Sequence, residues 1–161
     1  MKWMDVCEDK SLQDLPYKIE LNGEGQIVMS PHKPVHSSLQ GAIQRLLIQL
    51  KPDGYILPEL ALDTEDGTKA VDVAWVSGLL YEQEASKDAF ERAPEICVEV
   101  RSPGNSFANL EAKKKLYLER GASEVWICDE SGEMTFFGVE GRLDASRLCP
   151  GFPAKVYARR G

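Results

Sequence analysis

Hydrophobic residues recur along the chain at two spacings, and each spacing predicts a different element. In residues 35–50 the apolar side chains lie three and four positions apart, which predicts an amphipathic helix that ends at Pro52-Asp53-Gly54. Three later runs are short and apolar or alternate with polar positions, and they predict strands at residues 55–62, 69–76 and 94–101.

Turn and capping residues predict the remaining elements. Asn22-Gly23 lies between residues 17–21 and 26–29, a pattern typical of a β-hairpin. A second helix should begin after a cap at Asn105 or Ser106 and end at Gly121. The other predictions are a polar excursion with room for a short helix at 77–93, and strands at 124–128, at 134–139 and near Val156.

The order of these elements favours a mixed α/β or α+β fold. One helix, three strands, a helix and a strand form the core, with a leading hairpin and trailing strands around a sheet flanked by helices. A length of 161 residues suits a single domain over residues 1–161, with residues 1–16 as a polar N-terminal arm or short helix.

Composition narrows the class of partner and compartment. No apolar run approaches the ~20 residues that cross a bilayer, and the first residues lack a secretory signal, so we expect a cytoplasmic protein without a membrane partner. The net charge of −7 disfavours coating of nucleic acid through bulk electrostatics, but it allows a local basic strip. None of the four cysteines forms a C-x-x-C pair, which disfavours zinc and predicts reduced, mostly buried thiols.

Acidic residues inside the apolar strands are the candidate chemistry. Asp72, Glu99 and Glu59 each lie within such a run, where a charge is costly unless it is paired. Asp72 and Glu99 on adjacent strands could bind Mg²⁺ or Mn²⁺ beside a phosphate, with the backbone carbonyl of Val100 as a further ligand and Glu59 in support. The alternative for each acid is a structural salt bridge.

Periodicity does not decide which basic residue lies nearest these acids. Lys113 and Lys114 both flank the apolar stripe of the second helix, whereas Lys115 points away, and the whole run could instead be a solvated helix face. Arg101 follows Glu99 by two positions and would share its face. His36, near the start of the first helix, is expected at the surface or in a cap, with contact to a substrate phosphate as the alternative.

Several segments together resemble the Uma-type restriction endonucleases of the PD-(D/E)XK nuclease superfamily. The resemblance covers about residues 17–157 and depends on the order and spacing of residues 71–76, 99–105 and 113–126, with upstream support from 27–31, His36 and 57–60. It implies a restriction-endonuclease-like αβββαβ core, an N-terminal hairpin and extra C-terminal strands.

By position, the resemblance implies a role for each acid and for one lysine. Asp72 would be the motif aspartate, Glu99 the motif glutamate and Glu59 the auxiliary acid, while Lys113 would be a motif lysine moved from the strand to the helix. Two residues depart from the pattern. Val71 replaces the usual proline, and Arg101 lies at the strand-lysine position, where a permanently protonated side chain could at most contact phosphate.

The resemblance implies a Mg²⁺- or Mn²⁺-dependent endonuclease that hydrolyses phosphodiester bonds in DNA. Asp72 and Glu99 would bind the metal, Glu59 would assist, and Lys113 would position the attacking water or stabilise charge. By analogy with related enzymes a homodimer is expected. The alternative is a catalytically inactive nuclease-fold module that binds nucleic acid or a protein partner, which the acidic net charge favours. A third interpretation is a stand-alone structural or regulatory domain with no nucleic-acid role.

Overall fold

A six-stranded mixed sheet forms the centre of the protein, whose computed structural model describes residues 1–158. The spatial order β3-β4-β5-β6-β7-β8 follows the chain, and only β5 and β6 pair in parallel. The strands are β3 (Gly54–Thr64), β4 (Gly67–Ser77), β5 (Ile96–Val100), β6 (Glu124–Cys128), β7 (Met134–Gly138) and β8 (Gly141–Leu143).

Helices and a separate hairpin surround this sheet. The hairpin pairs β1 (Tyr17–Leu21) with β2 (Ile27–Pro31) and is not part of the central sheet. The helices are α1 (Trp3–Glu8), α2 (Pro34–Leu50), α3 (Gly78–Glu84) and α4 (Phe107–Glu119), with a 3₁₀ turn at Lys10–Leu12. Among residues 1–158, none of these helices combines the length and apolar character that crossing a bilayer requires.

Apolar packing on both faces of the sheet fixes β4 and β5. On one face, Leu39, Ile43 and Leu47 of α2 belong to a core cluster with strand residues such as Val73 and Val98. On the other face, Tyr117 of α4 belongs to a second cluster that includes Ala74 and Cys97. Because β4 and β5 are buried on both faces, a charged residue in either strand needs a partner inside the protein.

The α-and-β class and the order of its core elements are confirmed. The predicted first helix is α2, the three strands are β3 to β5, and α4 connects β5 to β6 as a parallel crossover requires. The Ser106 side chain caps α4 by accepting from Asn109 N, and α3 lies within the predicted excursion. All four cysteines are free thiols, and three of them are buried.

The C-terminal strand prediction was wrong. Within residues 1–158, the chain near Val156 makes only an isolated bridge between Glu133 and Lys155, and β8 is the last strand. β8 has three residues, two of which are exposed, so it is too short to show a period.

Candidate active site

Strand pairing brings Asp72 and Glu99 together. Val73 of β4 lies opposite Val98 of β5, and this register puts the two acids side by side. The backbone N–H of Asp72 donates to Glu99 Oε2 at 3.2 Å, and each acidic residue is only 1% exposed. The two acids that the sequence singled out therefore lie in one buried cluster.

The ammonium of Lys18 lies between these carboxylates. Its Nζ is 3.0 Å from Asp72 Oδ1, 3.3 Å from Glu99 Oε2 and 3.9 Å from Glu20 Oε2. Burial alone would lower the pKa of Lys18, but the negative charges of Glu99, Asp72 and Glu20 outweigh burial and raise it well above its usual value. Lys18 is therefore a cation that Asp72 and Glu99 share.

Lys113 approaches the same cluster from α4. Its Nζ lies 3.1 Å from Glu99 Oε1 and 2.9 Å from Glu20 Oε1. Lys114 instead pairs with Glu111 at 2.7 Å and lies over the ring of Phe137. Of the two lysines that periodicity could not separate, Lys113 is the one that reaches the acids.

Glu20, on β1, is an acid of the cluster that the sequence analysis did not single out. Besides its pair with Lys113, its Oε2 accepts from the backbone N–H of Ala70 at 2.9 Å. Burial raises the pKa of Glu20, but the charges of Lys18 and Lys113 exceed that effect and lower it. The cluster thus holds three carboxylates and two ammonium groups.

The environments of Asp72 and Glu99 move their pKa values in opposite directions. Burial opposes ionisation of Asp72, but Lys18, His36 and the Val100 N–H, which donates to Oδ2 at 2.8 Å, hold its pKa well below the usual range. For Glu99 burial prevails and raises the pKa, although Lys113 and Lys18 offset part of the effect. The hydroxyl of Tyr117 donates to Glu99 Oε1 at 3.0 Å. Of the two acids, Glu99 takes up a proton first.

Glu59 lies across from Asp72 on β3, where the strand pairing is interrupted. Pro58 pairs with Val73 and Leu60 with Val71, but Glu59 has a left-handed backbone with φ of 50°. The side-chain amide of Gln40 donates both to the Asp72 carbonyl at 2.8 Å and to Glu59 Oε1 at 3.1 Å. Although Glu59 is exposed, loss of part of its hydration and the charge of Asp72 raise its pKa to about 7.

His36 is buried beside Asp72, so its expected position at the surface or in a cap was wrong. Its Nε2 lies 3.5 Å from Asp72 Oδ2, and its ring stacks on His32 with centroids 4.1 Å apart. Within residues 1–158, His36 Nδ1 and His32 Nε2 have no hydrogen-bond partner. His32, His36 and Asp72 each offer a ligand atom within 4.8 Å of the others.

Arg101 and Val100 make contacts within the protein that do not test the roles expected for them. Arg101 is exposed, and its Nε donates to the carbonyl of Asn105 at 3.4 Å, so its guanidinium contacts the loop after β5. Val100 contacts Asp72 through its N–H group, whereas the sequence analysis considered its carbonyl.

A cleft of about 610 Å³ opens beside the cluster. The N-terminal arm forms one wall with residues such as Trp3, Val6 and Leu12, and Lys18, His32 and Glu59 lie along the cleft. The cleft therefore connects the buried charges with the surface.

The donor atoms of the cluster suit a divalent ion. Asp72 and Glu99 supply the oxygen ligands that magnesium and manganese prefer. Their carboxylates lie close enough together to share one cation, the Lys18 ammonium. His32 and His36 each offer an imidazole nitrogen within 4.8 Å of an oxygen of the same aspartate. The residues present thus fit the metal that the sequence suggested.

Comparison with known proteins identifies the family. The profile of the family Uma2, described as "Putative restriction endonuclease", matches residues 9–145. A search of the curated proteins finds no match. The fold is similar to the crystal structure of "a putative nuclease belonging to DUF820 from Anabaena variabilis ATCC 29413", with a TM-score of 0.65, 17% identity and coverage of 96% of this chain and 84% of that one. At that identity the likeness shows a shared fold, and the profile match shows that the chain belongs to the Uma2 family.

Proposed function

We propose that the protein is a Mg²⁺- or Mn²⁺-dependent endonuclease that hydrolyses phosphodiester bonds in DNA. Membership of a family of restriction endonucleases supports nuclease chemistry. The observation that carries the proposal is the convergence of Asp72 and Glu99 on a single cation, with Lys113 on the other side of Glu99. Buried acids on adjacent strands beside a lysine can hold a metal next to a phosphate.

In this proposal each residue of the cluster has a separate task. Asp72 and Glu99 would hold the metal, with Glu59 and the Val100 carbonyl as further ligands. When bound, the metal would make its water more acidic and offset negative charge on the phosphate.

Proton transfer and phosphate binding fall to other groups. As the alternative to binding the metal directly, Glu59, whose pKa is raised to about 7, would take up a proton from the attacking water at neutral pH. Lys113 would orient that water or stabilise developing charge as a point charge. Arg101 would contact the substrate phosphate, whereas His36 is buried beside Asp72 and would be a nitrogen donor near the metal.

The nitrogen donors next to Asp72 bear on the choice of metal. Carboxylates suit Mg²⁺ and Mn²⁺ equally well, whereas imidazole favours transition metals. With His32 and His36 beside Asp72, we expect Mn²⁺ to support activity at lower concentration than Mg²⁺.

Cleavage of supercoiled plasmid tests the proposal. With Mg²⁺ or Mn²⁺ the wild type should nick the plasmid, and Asp72→Asn and Lys113→Met should lower the rate at least about 100-fold, as loss of a charge-stabilising group does. Lys114→Met is the matched control, because Lys114 pairs with Glu111 and should keep wild-type activity. Circular dichroism would establish that each variant is folded. A wild type inactive over a range of metals and salt, or an active Asp72→Asn variant, would overturn the proposal.

The alternative is a catalytically inactive module that binds nucleic acid or a protein partner. The net charge of −7 favours it, as does Lys18, which already neutralises the acids. Fluorescence anisotropy with labelled duplex DNA separates the two proposals, because binding without metal-dependent cleavage would favour the module.

A homodimer is part of the proposal by analogy with enzymes that cut both strands of a duplex. Light scattering after size exclusion should then give twice the mass of the chain. The mass of a single chain at working concentration would contradict this part alone.

A further inference from the structure

Lys18 lies where a metal ion would have to bind. Its Nζ contacts Asp72 Oδ1 at 3.0 Å and both oxygens of Glu99 at 3.3 and 3.5 Å. Those atoms belong to the two carboxylates that would hold the metal in the proposed function. The Lys18 side chain is only 5% exposed.

We propose that Lys18 is a built-in competitor of the divalent ion, so that metal binds Asp72 and Glu99 only when the Lys18 ammonium leaves them. Lys18 thereby sets the metal affinity of the site. This inference rests on the proposed function, because it concerns the same two acids.

Distance makes joint occupancy unfavourable. Mg²⁺ binds oxygen at about 2.1 Å, so an ion on Asp72 Oδ1 would lie within about 5 Å of an ammonium that is itself 3.0 Å from that oxygen. Like charges at this separation repel strongly in a buried site, where water screens them little.

Charge balance points the same way. Without Lys18, the carboxylates of Glu20, Asp72 and Glu99 together with Lys113 carry a net charge of −2, which one divalent ion would neutralise. With Lys18 in place, the same ion would give these buried groups a net charge of +1, which only an ionised Glu59 at the exposed edge of the site could offset. Among the buried groups, charge balance therefore favours either the ammonium or the ion over both together.

The structure offers a destination for the displaced side chain. Lys18 and Glu59 line the same cleft of about 610 Å³, and Glu59 lies close enough to contribute to the raised pKa of Lys18. Because Glu20 and Leu21 bond β1 to Ala70 and Lys69 of β4, the displacement requires rotation of the Lys18 side chain and leaves the strand in place. Lys18 can thus swing into the cleft towards Glu59.

Metal titration of Lys18→Met tests the competition without substrate. In isothermal titration calorimetry with Mn²⁺, this variant should bind at least about tenfold more tightly than the wild type. Lys69→Met is the matched control, since Lys69 is another buried lysine next to the hairpin, bonded to Leu21 O and Asp66, and its loss should leave metal affinity unchanged.

The possible outcomes separate this inference from the proposed function. Equal or weaker binding by Lys18→Met, with measurable binding by the wild type, would overturn the competition and leave a metal-dependent enzyme. If neither the wild type nor Lys18→Met bound Mn²⁺, both proposals would be overturned. A merely structural role for Lys18 predicts weaker binding in the variant, the opposite of our expectation.

Chemical labelling of the wild type keeps the test valid if Lys18→Met does not fold. An amine-acetylating reagent, read by mass spectrometry, should leave Lys18 and Lys69 unmodified without metal, because both residues are buried. Saturating Mn²⁺ should raise labelling of Lys18 severalfold and leave Lys69 protected. Protection of Lys18 at saturating metal would refute its displacement.

Discussion

Replacing Lys18 by methionine should destabilise the metal-free protein by a large amount at neutral pH. The substitution keeps the length of the side chain but leaves Glu20, Asp72 and Glu99 without the ammonium that all three approach. Removal of one partner from a buried ion pair costs about 3–5 kcal/mol. In a chain of this size each kcal/mol lowers Tm by about 2–4 °C, so we expect a loss of about 10 °C.

The size of this loss should depend on pH, with a definite sign. In the wild type Lys18 lowers the pKa of Asp72 in the folded state. The stability that this ion pair contributes is therefore fully present above the pKa of Asp72 in the unfolded chain, and it is lost only in strong acid. In the variant burial would raise the pKa of Asp72, and the folded state would keep a proton that the unfolded chain releases. The variant should then gain stability towards lower pH, by up to about 1.4 kcal/mol per pH unit for one retained proton.

Urea unfolding in the presence of a chelator, followed by circular dichroism, measures the effect. The difference in unfolding free energy between wild type and Lys18→Met should be largest near about pH 7.5 and smaller near about pH 5. Lys69→Met should cost only about 1 kcal/mol at both pH values, because it loses bonds to a carbonyl and to the exposed Asp66. A Lys18→Met difference that does not change with pH, or that widens in acid, would refute the reasoning.

Three further predictions concern a buried acid outside the cluster, a tyrosine bonded to Glu99, and Glu59. Glu124→Gln should lose about 2–3 kcal/mol in urea unfolding with unchanged Mn²⁺ affinity, because this buried carboxylate accepts from an indole, a hydroxyl and two backbone N–H groups that an amide cannot all satisfy. Tyr117→Phe should lose about 1–2 kcal/mol through the missing bond to Glu99, and unchanged thermal stability would contradict that bond. The pKa of Glu59 is raised from 4.5 to about 7, so as the pH rises between those values the wild type should lose stability relative to Glu59→Gln, with no further loss at higher pH. Tm curves of the two proteins that run parallel over that range would contradict the shift.

The sequence predicted those elements whose apolar residues face the core directly. α2 has nearly the predicted bounds because its apolar positions are buried at helical spacing, and β6 has the predicted bounds because it is a short apolar run buried along its length. Asp72 and Glu99 could be found together because a charge inside an apolar strand is conspicuous and the two strands are neighbours. β8 escaped prediction because three residues hold too little pattern.

The sequence could not predict the residues of β1 that complete the cluster. Alternation in residues 17–21 turns Ile19 inwards and Lys18 and Glu20 outwards, whereas the structure buries both charged residues. Their partners lie about 50 or more positions later, so no local pattern announces the pairing. The predicted surface position of His36 was wrong for the same reason, since its buried partner Asp72 is distant in the sequence.

The β1–β2 hairpin is held to the rest of the protein mainly by charge. In β1, Lys18, Glu20 and Leu21 are buried, whereas every residue of β2 is half-buried or exposed. A two-stranded hairpin is barely stable by itself in water. Acid that protonates Glu99 should therefore weaken this attachment while the apolar layers of the sheet persist. The first event of acid denaturation would be local release of the N-terminal segment, which opens the turn between β1 and β2 to proteases before α2 or α4 melts.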